Sequence, residues 1–225
     1  MEAAASSFAE DLRRALARGF ARMDVVHALA AGRLARETLA RYAARYYAEL
    51  RTFIDLKLPE RLRLCPYGAT EAKRFFARAY VEEQGLFRPG EDHASLFRRL
   101  CDALAIAAAV LEDEVRRYAR RFDYLRALEP SPEAMVRELA IAYAWESAAP
   151  VLGQSLASAL RRHYAVPASA LVFFELHHAV DREHSAEAER VLLAYADTPE
   201  LRRLALAAIA ETLDLERYFG PDQGS

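Results

Sequence analysis

Three of the chain's six histidines stand within eight residues, in the segment HHAVDREH at 177–184. An α-helix turns by about 100° per residue, so His177, Asp181 and His184 fall within an arc of about 60° on one face. Imidazole and carboxylate groups that converge from one helix are suitable ligands for a transition metal such as iron or zinc. The preceding segment, SALVFFELHHAV, is strongly apolar and leads this face into a core. A structural role for the same groups, as a buried histidine–aspartate pair, is the alternative.

A metal centre needs ligands from other helices, and Glu146 is the clearest candidate among the carboxylates. It is the only charged residue between Leu139 and Leu160. An unpaired carboxylate in an apolar segment costs several kcal/mol, so a cation, a metal or a proton must neutralise it. A salt bridge to Arg137 or Arg161 is the alternative to metal binding.

A second source of ligands is the segment YVEEQGLFRPGEDHASLF, in which one predicted helix ends and the next begins. The first helix ends in Glu82 and Glu83, and the second begins near His93. Adjacent helical residues point about 100° apart, so one glutamate is expected to face inward and its neighbour to face solvent. Spacing alone does not choose between them, and His93 fits an exposed position in a first helical turn equally well.

An early segment, RYAARYYAELRTF, places a carboxylate on an aromatic stripe. Tyr42, Tyr46, Glu49 and Phe53 follow one another at i, i+4, i+7 and i+11. Glu49 is either a further metal ligand or a buried acid that is hydrogen-bonded by tyrosine. Tyr42 and Tyr46 are either core residues or catalytic residues with a redox or hydrogen-bonding role. Five aromatic side chains are expected either to form pocket walls or to belong to the plain core: Tyr42, Tyr46, Trp145, Phe173 and Phe174.

The elements that must position these groups are predicted to be α-helices. Apolar residues recur at helical spacing, and eight glycines and nine prolines are few for 225 residues. The punctuation predicts seven or eight helices in one domain, with N-caps at Thr70, Ser131 and Thr198 and Pro199 in the first turn that follows. The weakly charged stretch 139–160 contains Pro150, which favours a pair of buried helices over a membrane span.

Composition limits the partners of the chain. A net charge of −2 and a pI near 6.3 provide no basic field for nucleic acid, which requires clustered positive charge. Two cysteines are too few for a disulfide framework, so a reducing, cytoplasmic location is expected, without a membrane segment.

Four motifs in order resemble the haem-oxygenase-like diiron oxidases, the family that includes the chlamydial protein associating with death domains and its bacterial 4-aminobenzoate synthase relatives. These motifs are EEQG at 82–85, HASL at 93–96, WESAAP at 145–150 and FFELHHAVDREHS at 173–185. The resemblance extends from about residue 23 to 196. It implies a seven-helix haem-oxygenase-like bundle spanning the chain, which holds two iron ions, or manganese and iron, and activates dioxygen to oxidise a small organic molecule.

Carried over by motif position, the resemblance implies a set of six metal ligands. The position of Gly85 in the motif selects Glu82 rather than Glu83, and Glu49 falls near a further glutamate of some members. Dimers are common in this fold, so a homodimer is compatible with the resemblance. The implied ligands are Glu82, His93, Glu146, His177, Asp181 and His184.

The sequence departs from parts of the family. The 4-aminobenzoate-forming branch uses a tyrosine and a lysine of its own chain, and Val26 and Leu156 stand at those positions here. A 4-aminobenzoate synthase is therefore a disfavoured alternative. The metal-free enzymes thiaminase II and pyrroloquinoline quinone synthase share the fold, but thiaminase II uses a cysteine nucleophile, and neither Cys65 nor Cys101 lies in a comparable position. A helical interaction module is the third alternative.

Overall fold

The computed structural model describes the backbone of residues 2–214 and their side chains except those of residues 2–6, 121, 151 and 177–182. Within this part of the chain every regular element is helical, so the all-α prediction is confirmed. The α-helices are α1 (Glu2–Ala21), α2 (Asp24–Ala30), α3 (Arg36–Thr52), α4 (Leu58–Leu64), α5 (Thr70–Glu83), α6 (His93–Ala103), α7 (Ala108–Arg121), α8 (Asp123–Ala127), α9 (Pro132–Tyr164), α10 (Val172–Tyr195) and α11 (Pro199–Thr212). The expected count of seven or eight helices is too low, because short turns and a π-helical segment set off three brief α-helices, α2, α4 and α8, so that residues 2–214 contain eleven.

Side-chain caps fix where several helices begin. The hydroxyl groups of Ser131 and Thr198 accept hydrogen bonds from backbone N–H groups three residues ahead, and each is followed by a proline in the first turn. These two predicted caps are confirmed. The predicted cap at Thr70 is wrong, because Thr70 is already the first residue of α5 and its hydroxyl donates to the carbonyl of Gly68. Asp92, which the sequence did not single out, caps α6 by accepting from Ser95 N at 2.8 Å.

Helix α9 is the central element of the bundle. It runs without a break for 33 residues, so the pair of helices expected over 139–160 is wrong, and Pro150 lies inside a single helix. α9 packs along α10 and also contacts α11, α2 and α4. No helix in residues 2–214 is both long and apolar enough to cross a bilayer.

The core has two apolar clusters that meet around a cavity. The larger cluster joins α1, α5, α9, α10 and α11 and includes Phe76 and Tyr143. The smaller cluster joins α3, α6 and α7 with the ends of α9 and α10 and includes Phe97 and Phe173. Tyr46 contacts both clusters, so α3 is a wall between them.

A π-helical segment, Phe53–Lys57, connects α3 to α4. In a regular α-helix each four-residue step drifts by about 40°, so Glu49 and Arg61, twelve residues apart, would diverge by about 120°. A π turn contains more residues, so each residue turns the chain less and the drift decreases. Glu49, Lys57 and Arg61 are accordingly all buried, with 5%, 3% and 1% exposure.

Candidate metal centre and cavity

His184 of α10 lies between two carboxylates from other helices. Its Nε2 is 3.3 Å from Oε2 of Glu82 on α5, and its Nδ1 is 3.6 Å from Oε2 of Glu146 on α9. All three side chains are partly buried. Three predicted ligands, which are far apart in sequence, are therefore brought together by the packing of three helices.

The salt bridges considered for Glu146 do not form. Arg137 contacts Glu138 and Glu211, and Arg161 contacts Glu175. The described partner of Glu146 is instead His184. The negative charge of the Glu146 carboxylate is therefore left to a histidine or a metal ion, rather than to an arginine, for neutralisation.

A second imidazole–carboxylate pair forms where α5 ends and α6 begins. Nδ1 of His93 is 2.7 Å from Oε2 of Glu83. A carboxylate so close to Nδ1 favours a proton on that nitrogen and leaves the lone pair of Nε2 available to a metal. The structure thus places Glu83 beside His93 and Glu82 beside His184, so neither glutamate of this pair simply faces solvent as expected.

Two predicted ligands lie outside the described side chains. His177 and Asp181 belong to α10, but their side chains fall within 177–182. Among the side chains that the structure describes, no group of three or more histidine, cysteine, aspartate or glutamate residues is arranged to hold a metal ion. The full ligand set therefore stays a prediction, with four of its six members described.

Glu49 is a buried acid whose described hydrogen-bond partner is a lysine rather than the expected tyrosine, and its role as a metal ligand stays a prediction. Its Oε1 accepts a hydrogen bond from Nζ of Lys57 at 2.6 Å, in a pair that is buried on both sides. Nζ of Lys57 also lies 4.0 Å from the ring centroid of Phe122. The second carboxylate oxygen, Oε2, is buried and has no hydrogen-bond partner in the described part of the chain. One oxygen is thus held by lysine, while the other remains a potential donor to a metal ion.

A cavity of about 230 Å³ lies beside these groups. A single water needs only about 10–15 Å³ of such volume, so the cavity has room for a small organic molecule. Side chains from α2 to α6, α9 and α10 line it, and they are mostly apolar. All five predicted pocket walls are confirmed as lining residues: Tyr42, Tyr46, Trp145, Phe173 and Phe174.

Aromatic rings lie between the cavity and His93. The ring centroid of Tyr46 is 4.8 Å from that of Phe97, 6.1 Å from that of Phe173 and 6.4 Å from that of Trp145. Phe173 also lies 6.0 Å, edge to face, from the imidazole of His93. A molecule in the cavity would therefore lie among apolar rings, close to the carboxylates and to His93.

Val26 and Leu156 also line the cavity. These are the positions at which the resemblance to the 4-aminobenzoate branch places a tyrosine and a lysine. The cavity wall is apolar at both points, and neither side chain has a group to give to a reaction.

Sequence reasoning missed a charged pair in the cavity wall. Nε of Arg61 on α4 donates to Oε2 of Glu138 on α9 at 2.9 Å, and Arg61 lines the cavity. Nη2 of Arg61 is buried and has no hydrogen-bond partner among the described residues. The guanidinium lies over the rings of Phe53 and Phe76, at 5.0 and 5.7 Å from their centroids. The two partners are 77 positions apart, and regular helical spacing would turn Arg61 away from Glu49, so no local signal in the sequence indicated this wall.

The two cysteines do not line the cavity in the described part of the chain. Both are free and buried. Loss of solvation raises the pKa of the Cys65 thiol to about 11 and that of Cys101 to about 12. Because the thiolate is the nucleophile, both thiols are inert near neutral pH.

The helical architecture defines a fold class, the haem-oxygenase-like fold. The backbone is similar to the crystal structure of a TenA homologue from Pseudomonas syringae pv. tomato str. DC3000, with a TM-score of 0.74, 15% identity, and coverage of 95% of this chain and 89% of that chain. At this identity the similarity shows the fold alone. A search among curated proteins gives no match.

The family profile described as "Iron-containing redox enzyme" matches residues 40–217. This region is most of the chain and contains every predicted metal ligand. The chain therefore belongs to this family of iron-containing redox enzymes.

The described donors fit an iron site in their chemistry. Two ligand atoms that each lie about 2.1 Å from one ion are about 3.0–3.4 Å apart, for angles of 90° to 109°. The separations of 3.3 and 3.6 Å around His184 are close to this range. Since the two nitrogens of an imidazole point in different directions, only one of the two carboxylates beside His184 could share an ion with that ring, and the other would be placed to bind a second ion.

Proposed function

We propose that the chain is a non-haem iron oxidase or oxygenase, which uses dioxygen to oxidise a small organic molecule held in the apolar cavity. The observation that carries this proposal is the position of His184 between Glu82 and Glu146, beside an apolar cavity, in a member of a family of iron-containing redox enzymes.

The metal-holding residues of this proposal are those of the predicted set, with Glu49 as a seventh donor through its unpartnered Oε2. Mixed imidazole and carboxylate ligands suit iron, and a centre of two irons would supply the activation of dioxygen. Glu83 has a different role, because its contact with His93 Nδ1 orients that ring. The proposed ligands are Glu82, His93, Glu146, His177, Asp181 and His184.

The chain's own residues supply orientation and exclusion of water. Phe97, Trp145 and Phe173 pack around Tyr46 and give this part of the cavity an apolar wall that would exclude water from a bound substrate. We assign Tyr42 and Tyr46 as the residues whose phenol hydroxyls hydrogen-bond the substrate or deliver a proton to it, since both line the cavity near the carboxylates.

A metal-free lyase or hydrolase is the competing proposal, because the structural similarity to the TenA homologue concerns a fold that such enzymes share. It requires a nucleophile or an acid–base pair at the cavity. The positions of Cys65 and Cys101, both buried and away from the described lining, weigh against a cysteine nucleophile.

Dioxygen uptake by iron-loaded protein tests the proposal. Protein reconstituted anaerobically with ferrous iron is expected to consume dioxygen and to change its near-ultraviolet and visible absorption on exposure to air. His184→Ala removes the central imidazole and should abolish both signals. His163→Ala is the matched control, since His163 lies exposed at the end of α9.

The competing proposal predicts another pattern. A reaction of the cavity that persists after chelation and without air, together with unchanged dioxygen levels in the iron-loaded wild type, would contradict iron-dependent oxidation.

A further inference from the structure

The charge distribution around the cavity is uneven. Among the described lining residues, three are carboxylates, Glu49, Glu83 and Glu146, and one is a cation, Arg61. Lys57 neutralises Glu49 from outside this lining. The cavity therefore repels an anionic group near Glu83 and Glu146 and offers it one cationic partner.

The guanidinium of Arg61 has a donor group that can bind an anion at this position. Its side chain is 1% exposed, its Nε is held by Glu138, and its Nη2 remains without a partner among the described residues. A buried N–H group without an acceptor is costly, so a ligand that supplies an acceptor gains the full interaction. The guanidinium fork suits a planar carboxylate, and the rings of Phe53 and Phe76 fix its plane.

The rise along two helices gives similar distances from Arg61 to the carboxylates that contact His93 and His184. Arg61 lies beside Phe76, and Glu83 follows seven residues later on α5, which is about 10 Å along the helix axis. Arg61 also pairs with Glu138, and Glu146 follows eight residues later on α9, which is about 12 Å. The guanidinium and the carboxylate–histidine cluster are thus separated by about 10–12 Å along these two helices.

We infer that Arg61 is the binding site for the anionic group of the substrate, and that the substrate is an amphiphile with one anionic end, such as a carboxylate, and an apolar body about 10 Å long. The inference rests on the proposed function and gives its substrate class. The apolar body of the substrate occupies the space lined by Val26, Leu156 and the aromatic rings. The end of the substrate farthest from its anionic group is the part that approaches His93 and His184.

Fluorescence titration tests this inference without any catalytic reaction. Trp145 is the chain's single tryptophan and lines the cavity, so its emission reports occupancy directly. The metal-free protein is titrated with decanoate, decan-1-ol, decylamine and butyrate. Decanoate is expected to bind about 10- to 100-fold more tightly than decan-1-ol, the range for a hydrogen bond to a charged group. Decylamine can place its ammonium group only near Glu83 and Glu146, so its affinity should not depend on Arg61, and butyrate should bind more than about 100-fold more weakly than decanoate.

Variants assign the preference to one side chain. Arg61→Lys keeps the positive charge beside Glu138 but loses the fork, and Arg61→Met combined with Glu138→Met replaces the whole pair by apolar groups, an exchange that is often tolerated. Both variants should lose the preference for decanoate over decan-1-ol while binding of decan-1-ol persists. Arg63→Gln, on the same helix but more exposed, is the control and should keep it.

Equal affinities for decanoate and decan-1-ol in the wild type would overturn the inference, as would a preference that survives in folded Arg61 variants, absence of any emission change, or butyrate binding as tight as decanoate. If no Arg61 variant folds, the comparison of head groups on the wild type decides alone. A protein that binds ferrous iron but shows no anion preference contradicts only the substrate class. A protein that prefers decanoate but binds no iron contradicts only the proposed function.

Discussion

Gly85 controls the connection between the two helices that carry Glu82, Glu83 and His93. Its φ is +60°, and a Cβ atom there would lie 2.4 Å from the carbonyl carbon of Glu91 and 2.6 Å from the backbone nitrogen of Asp92. Asp92 caps α6, so a displacement of its backbone moves the first turn of α6 and with it His93.

A Gly85→Ala change has two effects, an unfavourable φ and a steric clash, and Gly90→Ala shows the first effect alone. Gly90 lies in the same connection at φ +74°, but a Cβ there meets nothing within 4 Å. The unfavourable φ alone costs roughly 1–2 kcal/mol in either variant. The forced backbone shift at Gly85 adds about 1–3 kcal/mol. Urea unfolding should therefore show a larger loss in Gly85→Ala, and its melting temperature should lie about 2–12 °C below that of Gly90→Ala.

The binding of ferrous iron should separate the same two variants. Gly85→Ala should bind iron more weakly than the wild type, because His93 moves relative to Glu83, whereas Gly90→Ala should bind it normally. Equal stability losses and equal iron affinities in the two variants would refute the assignment of Gly85 as the residue that sets this geometry.

Three further predictions concern the buried groups and a cap. Burial raises the pKa of the Cys101 thiol to about 12 in the native state, whereas the thiol of the unfolded chain ionises near 9. The free energy of unfolding should therefore fall by about 1.4 kcal/mol per pH unit between those two values. Urea unfolding at several pH values should show a smaller slope in Cys101→Ala, and an unchanged slope would contradict the burial of this thiol. Lys57→Met leaves the Glu49 carboxylate buried without its ion pair and should lower the free energy of unfolding by about 3–5 kcal/mol. The double change Lys57→Met with Glu49→Gln should restore much of that loss. A mild effect of the single change on urea unfolding would refute a tight pair. Thr198→Ala should cost about 1 kcal/mol through loss of its cap, whereas Thr70→Ala should cost little, and the reverse order in thermal melts would be inconsistent with the observed caps.

Local signals in the sequence were sufficient for the fold class and for part of the site. The helical spacing of apolar residues predicts an all-α chain, and Ser131 with its following proline predicts the start of α9. The isolation of Glu146 in an apolar segment predicts a partner other than solvent, and the structure supplies His184. These inferences depend on neighbours within a few residues, which the sequence contains directly.

Contacts between distant segments could not be predicted in this way. Glu82 and Glu83 were indistinguishable because each approaches a different histidine, one on α10 and one on α6, and only tertiary packing separates them. The pairing of Arg61 with Glu138 was missed because a regular helix would turn Arg61 away from Glu49. The π-helical segment between them, which restores the common face, has no sequence signal that we recognise.

Anaerobic titration of the wild-type protein with ferrous iron, followed by calorimetry and metal analysis, tests the central claim most directly. We expect close to two irons per chain, and a marked loss of binding in Glu146→Ala and His184→Ala but not in Glu133→Ala, an exposed carboxylate in the first turn of α9. A titration without heat or retained iron in the wild type, or equal iron content in all four proteins, would contradict the account.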